Sequence, residues 1–130
     1  MAIIKKILIV DDDPVLSQMY KHIFDVEKNF QTYVAVDGYD GLEKAKSLLP
    51  QIILLDIMLP KINGLDVLEK LKADPLTKSI PVVVLTNIAK SPEEAQRVIS
   101  MGAAKYITKS DYDPRQLTAL VEEILDGKGE

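Results

Sequence analysis

The chain has 130 residues, no cysteine, one histidine and a formal net charge of −4. Its length is that of one domain, and the lack of cysteine excludes disulfides, cysteine catalysis and thiolate metal sites. The mild negative charge argues against a general nucleic-acid surface, and no apolar run is long enough to span a bilayer. We therefore expect one cytoplasmic domain over residues 1–130, with a core at about 6–126 and a frayed tail at 127–130.

Five short apolar runs predict β-strands. In chain order they lie at residues 7–10, 30–36, 52–55 and 82–85, with a short fifth run around Tyr106 and Ile107. The first, third and fourth runs are continuously apolar rather than alternating. This pattern is typical of strands in a parallel sheet that is covered on both faces.

Five apolar stripes with helical spacing follow these runs. They lie at residues 15–24, 42–49, 65–71, 95–99 and 117–125, and include Val15, Met19 and Leu49. Three of the helices have a clear predicted start, because a capping side chain precedes a proline in Asp13-Pro14, Ser91-Pro92 and Asp113-Pro114. Ser91 and Glu94 have the spacing of a capping box, and Gly102 and Gly127 stand where helix ends are expected.

The alternation predicts an α/β fold of the (βα)5 type, a doubly wound five-stranded parallel sheet with helices on both faces. The common order for such a flavodoxin-like sheet is 2-1-3-4-5, although periodicity alone does not give the order. In that order the first and third strands are neighbours at the topological switch point. Ligands are then expected outside the carboxyl ends of these two strands.

Acidic side chains follow two of the predicted strands. Asp11 and Asp12 come directly after the first strand, and Asp56 comes after the third, whereas Asp13 is explained by its capping position before Pro14. Three carboxylates in one crevice require either a bound proton or a cation. Their all-oxygen ligand set suits a hard cation, Mg2+ or Mn2+.

Thr86 and Lys109 follow the fourth and fifth strands. Taken singly, such residues are usually an ordinary strand threonine and a solvated surface lysine. Together with the acids, they supply the groups that phosphoryl transfer to an aspartate needs: a carboxylate nucleophile, a divalent cation, an ammonium and a hydroxyl donor. Asp56 is the favoured nucleophile because it ends the central strand of the predicted sheet.

Four sequence stretches carry a family resemblance. They are Ile-Leu-Ile-Val-Asp-Asp-Asp-Pro at 7–14, Leu-Asp-Ile-Met-Leu-Pro at 55–60 with Asn63-Gly64, Val-Val-Leu-Thr at 83–86, and Gly-Ala-Ala-Lys-Tyr-Ile-Thr-Lys at 102–109. In this order and at the strand ends, they resemble response-regulator receiver domains of two-component signalling, of the stand-alone chemotaxis-regulator type. The resemblance implies a phosphoprotein whose phosphodonor is a histidine kinase or a histidine phosphotransfer protein.

The resemblance also implies residue roles. Asp56 is similar to the phosphoacceptor, and Asp11 and Asp12 to the metal-binding acids, with Asp12 the more direct ligand. The backbone carbonyl of Met58 is similar to a metal ligand, and Lys109 to the site lysine. Thr86 is similar to the switch hydroxyl, and Tyr106 to the switch aromatic. Phosphorylation is expected to draw Thr86 inward and Tyr106 into a buried rotamer. That movement changes the face of the fourth helix, fifth strand and fifth helix, the usual surface for a protein target or a dimer.

Several positions depart from the family pattern or adjust it. Ser110 replaces the usual proline after Lys109, so the bond between them is expected to be trans, or to be held cis by other contacts. Asn87 stands where a small residue is usual and is expected to narrow access to Asp56 or to add a hydrogen bond. Met58 and Ile88 are apolar where polar groups can assist water, so we expect a long-lived phosphoryl group.

Other functions remain open at this point. One alternative is a phosphorylation-independent interaction module on the same fold, and another is a receiver excised from a longer regulator or hybrid kinase. An aspartyl phosphatase is disfavoured because Met58 stands where its proton-transferring acid is needed, and a flavin site because no phosphate-cradling loop follows the first strand. His22 is interpreted as a plain surface histidine. We therefore expect a switch that catalyses only its own phosphorylation and dephosphorylation, not a metabolic enzyme.

Overall fold

A computed structural model describes residues 5–88 and 91–127; most of the expected frayed tail, residues 128–130, lies outside the described residues. The structure forms one sheet of five strands, β1 (Lys5–Val10), β2 (Phe30–Ala35), β3 (Ile52–Asp56), β4 (Val82–Thr86) and β5 (Lys105–Thr108). All neighbouring strands are parallel, and their order is β2-β1-β3-β4-β5. The predicted fold class and strand order are therefore confirmed.

The connecting helices are α1 (Pro14–His22), α2 (Gly38–Leu48), α3 (Gly64–Ala73), α4 (Pro92–Ser100) and α5 (Pro114–Leu125), and a π-helical turn (Ile23–Glu27) extends α1. The three predicted caps are confirmed, because Asp13, Ser91 and Asp113 each accept a backbone N–H of their first turn. Gly102 and Gly127 follow α4 and α5 with φ of +111° and +78°, a conformation that favours glycine. Within the described residues, no helix has the length and apolar character needed to cross a membrane.

Two apolar clusters pack on opposite faces of the sheet. One joins the sheet to α2, α3 and α4 through side chains such as Ala45, Leu68 and Val98, and the other joins it to α1 and α5 through Tyr20 and Leu117. All five residues of β3 and of β4 are buried. Coverage on both faces explains why these strands are continuously apolar in the sequence.

Four residues of the predicted apolar stripes do not face the core. Val15 and Met19 are 76% and 42% exposed, Leu49 is 50% exposed, and Ile99 of the fourth stripe is 45% exposed. The predicted stripe on α1 is wider than the part of the helix that the sheet covers. Tyr20 of the stripe is buried, together with the small Ser17, which lies outside the stripe. Leu49 lies past the end of α2 in a left-handed conformation with φ of 47°, which turns its side chain away from the helical stripe.

The exposed edge of β2 is covered first by an ion pair from the end of α1. Lys21 Nζ lies 2.7 Å from Asp25 Oδ2. The same two side chains reach the outer backbone of Thr32: its N–H donates to Asp25 Oδ1 at 2.9 Å, and its carbonyl accepts from Lys21 Nζ at 3.2 Å. The ion pair therefore occupies backbone groups that a further strand would use.

A second ion pair, from α2 on the other face, covers the next part of the same edge. Lys44 Nζ lies 3.1 Å from Asp40 Oδ2 and donates to the carbonyl of Val34 at 2.7 Å. Asp40 Oδ2 also accepts the N–H of Val36 at 3.4 Å. We call these two ion pairs, Lys21–Asp25 and Lys44–Asp40, the β2 clasp.

Candidate functional site

The register of the sheet brings the predicted site residues to one edge. Val10 pairs with Leu55 and Asp56 with Leu85, so the residues that follow β1 and β3 emerge side by side. Thr86 pairs with Thr108 at the ends of β4 and β5, immediately before Lys109. The predicted switch point between β1 and β3 is therefore where the polar side chains meet.

Three carboxylates form the centre of the site. One oxygen from each of Asp11, Asp12 and Asp56 lies within 4.8 Å of the others. Asp11 and Asp56 are only 1% and 3% exposed, whereas Asp12 is exposed. Two buried acids and one that remains open to solvent form an oxygen-only donor set, which suits a hard divalent cation.

Lys109 joins the two buried acids. Its Nζ lies 2.9 Å from Asp11 Oδ2 and 3.2 Å from Asp56 Oδ2, and its side chain is 11% exposed. Burial alone lowers the pKa of Lys109, but the hydrogen bond to Asp11 and the charges of Asp11 and Asp56 outweigh it, so the pKa is raised. Lys109 is therefore a fixed ammonium between the two carboxylates.

Backbone donors orient the other carboxylate oxygens. Asp56 Oδ1 accepts the N–H of Met58 at 3.0 Å, and Asp11 Oδ1 accepts the N–H of Asp13 at 2.9 Å. Burial is the main cause that raises the pKa of Asp56, and the hydrogen bond from Met58 and the charge of Lys109 do not fully offset it. With three ionised acids and one ammonium, the described cluster keeps two negative charges, which matches the charge of a divalent cation.

The start of α3 explains the Asn63-Gly64 pair in the sequence. The Asn63 side chain caps α3 by accepting the N–H of Asp66 at 3.0 Å, and the Gly64 N–H donates to the carbonyl of Ile57 at 2.9 Å. A Cβ at Gly64 would collide with the backbone of Asp56 and Ile57. Glycine is therefore needed for α3 to begin directly against the segment that holds Asp56.

Thr86 and Tyr106 lie at the β4–β5 side of the site. Thr86 is 3% exposed, and its Oγ1 accepts the N–H of Ile88 at 3.2 Å. Tyr106 is 6% exposed, and its hydroxyl donates to Glu94 Oε1 at 2.7 Å. Burial and the nearby Glu94 raise the pKa of Tyr106 to about 12, while a hydrogen bond from Thr86 acts in the opposite direction. The predicted switch pair is therefore in direct contact, and Tyr106 already lies inside.

The three residues predicted to adjust access to the site follow Asp56 and Thr86 in the sequence, and all are exposed. Met58 and Ile88 are 59% and 64% exposed, and Asn87, next to Ile88, is exposed as well. All peptide bonds of the described residues are trans, which includes the predicted trans bond between Lys109 and Ser110. These two residues enter a short 3-10 turn (Lys109–Asp111) instead of the proline turn of the family pattern.

Sequence reasoning missed two residues near the site. Tyr20 was assigned only to the core stripe of α1, yet it lies close enough to Lys109 and Asp11 for their charges to act on its pKa, which burial raises. Glu94 was assigned to a capping box; the Ser91 half forms at 3.1 Å, but the carboxylate also contacts Tyr106. His22 is exposed, as predicted.

The site geometry agrees with comparisons to known proteins. The model of the response regulator receiver domain family matches residues 7–122. The chain belongs to this family. Among curated relatives, it is 37% identical over 120 residues to the DNA-binding dual master transcriptional regulator RpaA of Synechocystis, covering 92% of this chain and 48% of RpaA. The Bacillus subtilis regulator PhoP is 36% identical over 123 residues, covering 93% of this chain and 48% of PhoP.

Solved receiver structures share the whole fold. A CheY-like receiver domain protein from Methanospirillum hungatei is 32% identical with a TM-score of 0.86, and the match covers 97% of both chains. The chemotaxis regulator CheY4 of Vibrio cholerae is 25% identical with a TM-score of 0.85, covering 94% of this chain and 99% of that one. The receiver thus spans about half the length of the curated relatives and nearly all of these solved chains.

Proposed function

We propose that this receiver accepts a phosphoryl group on Asp56 and signals through a change in protein binding. The observation that carries the proposal is the position of Lys109, whose Nζ lies between Asp56 and Asp11 at the edge where Thr86 also emerges. Lys109 joins carboxylates from the ends of two strands, and its ammonium lies beside the Asp56 oxygen, where it would stabilise charge on the transferring oxygens. Its family membership supports the same function.

The proposed transfer uses a carboxylate oxygen of Asp56 as the nucleophile. This oxygen attacks the phosphorus of a phosphohistidine, an O–P bond forms and the P–N bond breaks, and the electron pair returns to the imidazole nitrogen. Lys109 neutralises charge on the phosphoryl oxygens, and the Thr86 hydroxyl can donate a hydrogen bond to one of them. The donor is a histidine kinase or a histidine phosphotransfer protein, and attack by water on the phosphoaspartate later releases phosphate.

A divalent cation fits the acidic triad. Asp11, Asp12 and Asp56, with the carbonyl of Met58, would hold Mg2+, or Mn2+ in its place, because these are hard oxygen donors with excess negative charge. When bound, the cation supplies charge neutralisation for the phosphoryl oxygens. Asp12 is the exposed member of the triad and therefore the ligand that an incoming cation meets first.

We propose that the signal leaves through α4, β5 and α5. Tyr106 of β5 contacts Glu94 of α4, so a movement of Thr86 changes this face directly. The partner is a downstream protein target, and a second copy of the receiver is a further option on the same face. RpaA is named as DNA-binding, but this chain spans about half of it, so no direct contact with nucleic acid is proposed for the receiver.

The apolar residues Met58 and Ile88 support slow dephosphorylation. They lie two positions after Asp56 and Thr86, are exposed and offer no group that would orient water, while Asn87 would narrow the approach to Asp56 or add a hydrogen bond near the phosphoryl group. A time course of phosphate release after removal of the phosphodonor tests this. We expect a half-life of many minutes in wild type and a shorter one in Met58→Glu; decay within seconds in wild type would contradict slow release.

The proposed function is tested by phosphorylation with acetyl phosphate and Mg2+, followed by intact mass. Wild type should gain the mass of one phosphoryl group and Asp56→Asn should gain none, because its amide is a poor nucleophile. Asp66→Asn, an exposed acid on α3, is the matched control and should behave like wild type. No gain in wild type, or an equal gain in Asp56→Asn, would favour the phosphorylation-independent interaction module.

A further inference from the structure

The hydrogen bond between Tyr106 and Glu94 joins β5 to α4, and nothing in the sequence pattern pairs these two residues. Tyr106 Oη donates to Glu94 Oε1 at 2.7 Å, across twelve positions of the chain. Glu94 is the third residue of α4, where a capping-box side chain normally returns to the cap. In α5, Gln116 makes that return to the N–H of Asp113 at 2.9 Å. In α4, by contrast, the carboxylate reaches across to β5.

The direction of the protons in this contact follows from its chemistry. An ionised carboxylate only accepts hydrogen bonds, so the phenol proton of Tyr106 points to Glu94. Tyr106 also forms a hydrogen bond with Thr86. Because the phenol proton is directed to Glu94, the Tyr106 oxygen accepts this second bond and the Thr86 hydroxyl donates it. The proton of Thr86 is therefore directed to Tyr106 and away from Asp56.

We propose that Glu94 is a positioning residue of the switch, which holds Tyr106 so that its oxygen keeps the Thr86 hydroxyl turned away from the phosphoacceptor. This inference rests on the proposed function of Asp56. Tyr106 and Thr86 are both more than nine-tenths buried, so little of either side chain is open to water. A charge-assisted bond at one end of a hydrogen-bonded chain strengthens the next bond.

On phosphorylation, two oxygens then compete for the hydrogen bond that the Thr86 hydroxyl donates. The Thr86 hydroxyl has a single hydrogen, which bonds either to Tyr106 or to a phosphoryl oxygen on Asp56. Removal of the Glu94 carboxylate weakens the hydrogen bond from Thr86 to Tyr106 and leaves the bond from Thr86 to a phosphoryl oxygen unchanged. Loss of Glu94 should therefore raise the fraction of receiver that carries a phosphoryl group at a fixed concentration of phosphodonor.

The chain offers a matched control and a conservative variant. Glu93 precedes Glu94 in the first turn of α4, is exposed, and has the same charge and the same relation to the helix dipole. Glu93→Ala therefore reproduces the charge change without the contact. Glu94→Gln keeps an amide oxygen that can accept from Tyr106, although without the charge, and should lie between wild type and Glu94→Ala.

The test measures the phosphorylated fraction by intact mass at subsaturating acetyl phosphate and fixed Mg2+. We expect the ratio of phosphorylated to free receiver to rise about threefold in Glu94→Ala and in Tyr106→Phe, the size of one modest hydrogen bond, and to stay unchanged in Glu93→Ala. In a Thr86→Ala background, Glu94→Ala should have no further effect. A merely structural Glu94 would show its effect in both backgrounds.

Tyrosine ionisation gives a second readout that does not depend on phosphorylation. Tyr106, whose pKa is raised to about 12, should titrate at a lower pH in Glu94→Ala and not in Glu93→Ala, as followed by NMR of labelled tyrosine. If wild type takes up a phosphoryl group but Glu94→Ala matches Glu93→Ala in both readouts, the inference is overturned and the proposed function stands. If wild type takes up none, the proposed function fails and the inference fails with it.

Discussion

The sheet ends in two edge strands, β2 and β5, which are held in place in different ways. The β2 clasp engages four outward backbone groups with two ion pairs, one from each face of the sheet. On β5, by contrast, the hydroxyl of Tyr106 contacts Glu94 of α4, and the chain continues directly into Lys109. None of the clasp residues belongs to the acidic site, whereas β5 leads directly into Lys109, which contacts Asp11 and Asp56 of that site.

This difference indicates where a change at Asp56 is transmitted. Under the proposed function, an added phosphoryl group should leave the partners of the β2 clasp unchanged, because the clasp contacts solvent and the strand backbone. Thr86, Tyr106 and Lys109 are instead expected to exchange partners, because Lys109 contacts Asp56 and Thr86 contacts Tyr106. We therefore propose one fixed edge, β2, and one responsive edge, β5, and the following variants separate the two.

The largest stability effect is expected at the responsive side, for Lys109→Met. The variant leaves Asp11 and Asp56 buried together without their shared ammonium, and loss of one partner from a buried pair costs about 3 kcal/mol. Urea unfolding without divalent cations should show this loss. Added Mg2+ should reduce it, because a bound cation replaces the missing charge.

Lys70→Met is the control for this prediction, since Lys70 is an exposed lysine on α3. It should change the free energy of unfolding by less than about 0.5 kcal/mol. Equal losses in the two variants would show that Lys109 behaves as an ordinary surface lysine. A large Lys109→Met loss that Mg2+ does not reduce would contradict the replacement of the missing charge by a cation.

A smaller effect is expected at the fixed edge, for the double variant Asp25→Ala and Asp40→Ala. The two substitutions remove the side-chain acceptors of the Thr32 and Val36 N–H groups. Because these groups can then hydrogen-bond to water, the free energy of unfolding should fall by only about 1 kcal/mol. Hydrogen exchange by NMR should show faster exchange of these two amides, about tenfold.

Phosphoryl uptake should stay at the wild-type level in this double variant, and Glu43→Ala, an exposed acid on α2, should change neither property. The exposed edge should also favour association at high protein concentration, which light scattering detects. Impaired phosphoryl uptake would contradict the separation of the two edges.

The smallest effect is a pH dependence that involves Asp56. Burial raises its pKa above the ordinary value of 3.8. Between that value and the folded-state pKa, the folded chain holds a proton that the unfolded chain has released, so the contribution of Asp56 to stability falls as the pH rises. Asp56→Asn removes this fall.

Without divalent cations, the stability of Asp56→Asn relative to wild type should therefore increase from pH 4 towards neutral, as measured by urea unfolding at each pH. Asp66→Asn, which does not change a buried group, should show no such trend. A relative stability of Asp56→Asn that is constant or falls with pH would contradict the raised pKa.

The sequence predicted the elements and the strand ends because their signals are local. Continuous apolar runs, capping side chains before prolines and the polar residues directly after each run need no knowledge of tertiary packing. The side of the sheet that each helix covers, and how widely, is not local. For that reason the stripe on α1 included Val15 and Met19, which the structure exposes.

The contacts that distinguish the two edges were also beyond the sequence. Glu94 has capping-box spacing, and only the packing of α4 against β5 brings its carboxylate to Tyr106. Lys21 and Asp25 have the spacing of an ordinary helical ion pair, and only the position of β2 makes them partners of a strand backbone. In each case a locally explained residue has a second, long-range contact.

The central claim is that phosphorylation of Asp56 changes the β5 edge and leaves the β2 edge as it is. Backbone amide NMR of the receiver with Mg2+, before and after addition of acetyl phosphate, measures both edges in one sample. The account predicts shifted resonances for Thr86, Tyr106 and Lys109, unchanged ones for Thr32 and Val36, and no change in Asp56→Asn. Shifts of similar size at both edges, or the same shifts in Asp56→Asn, would contradict it.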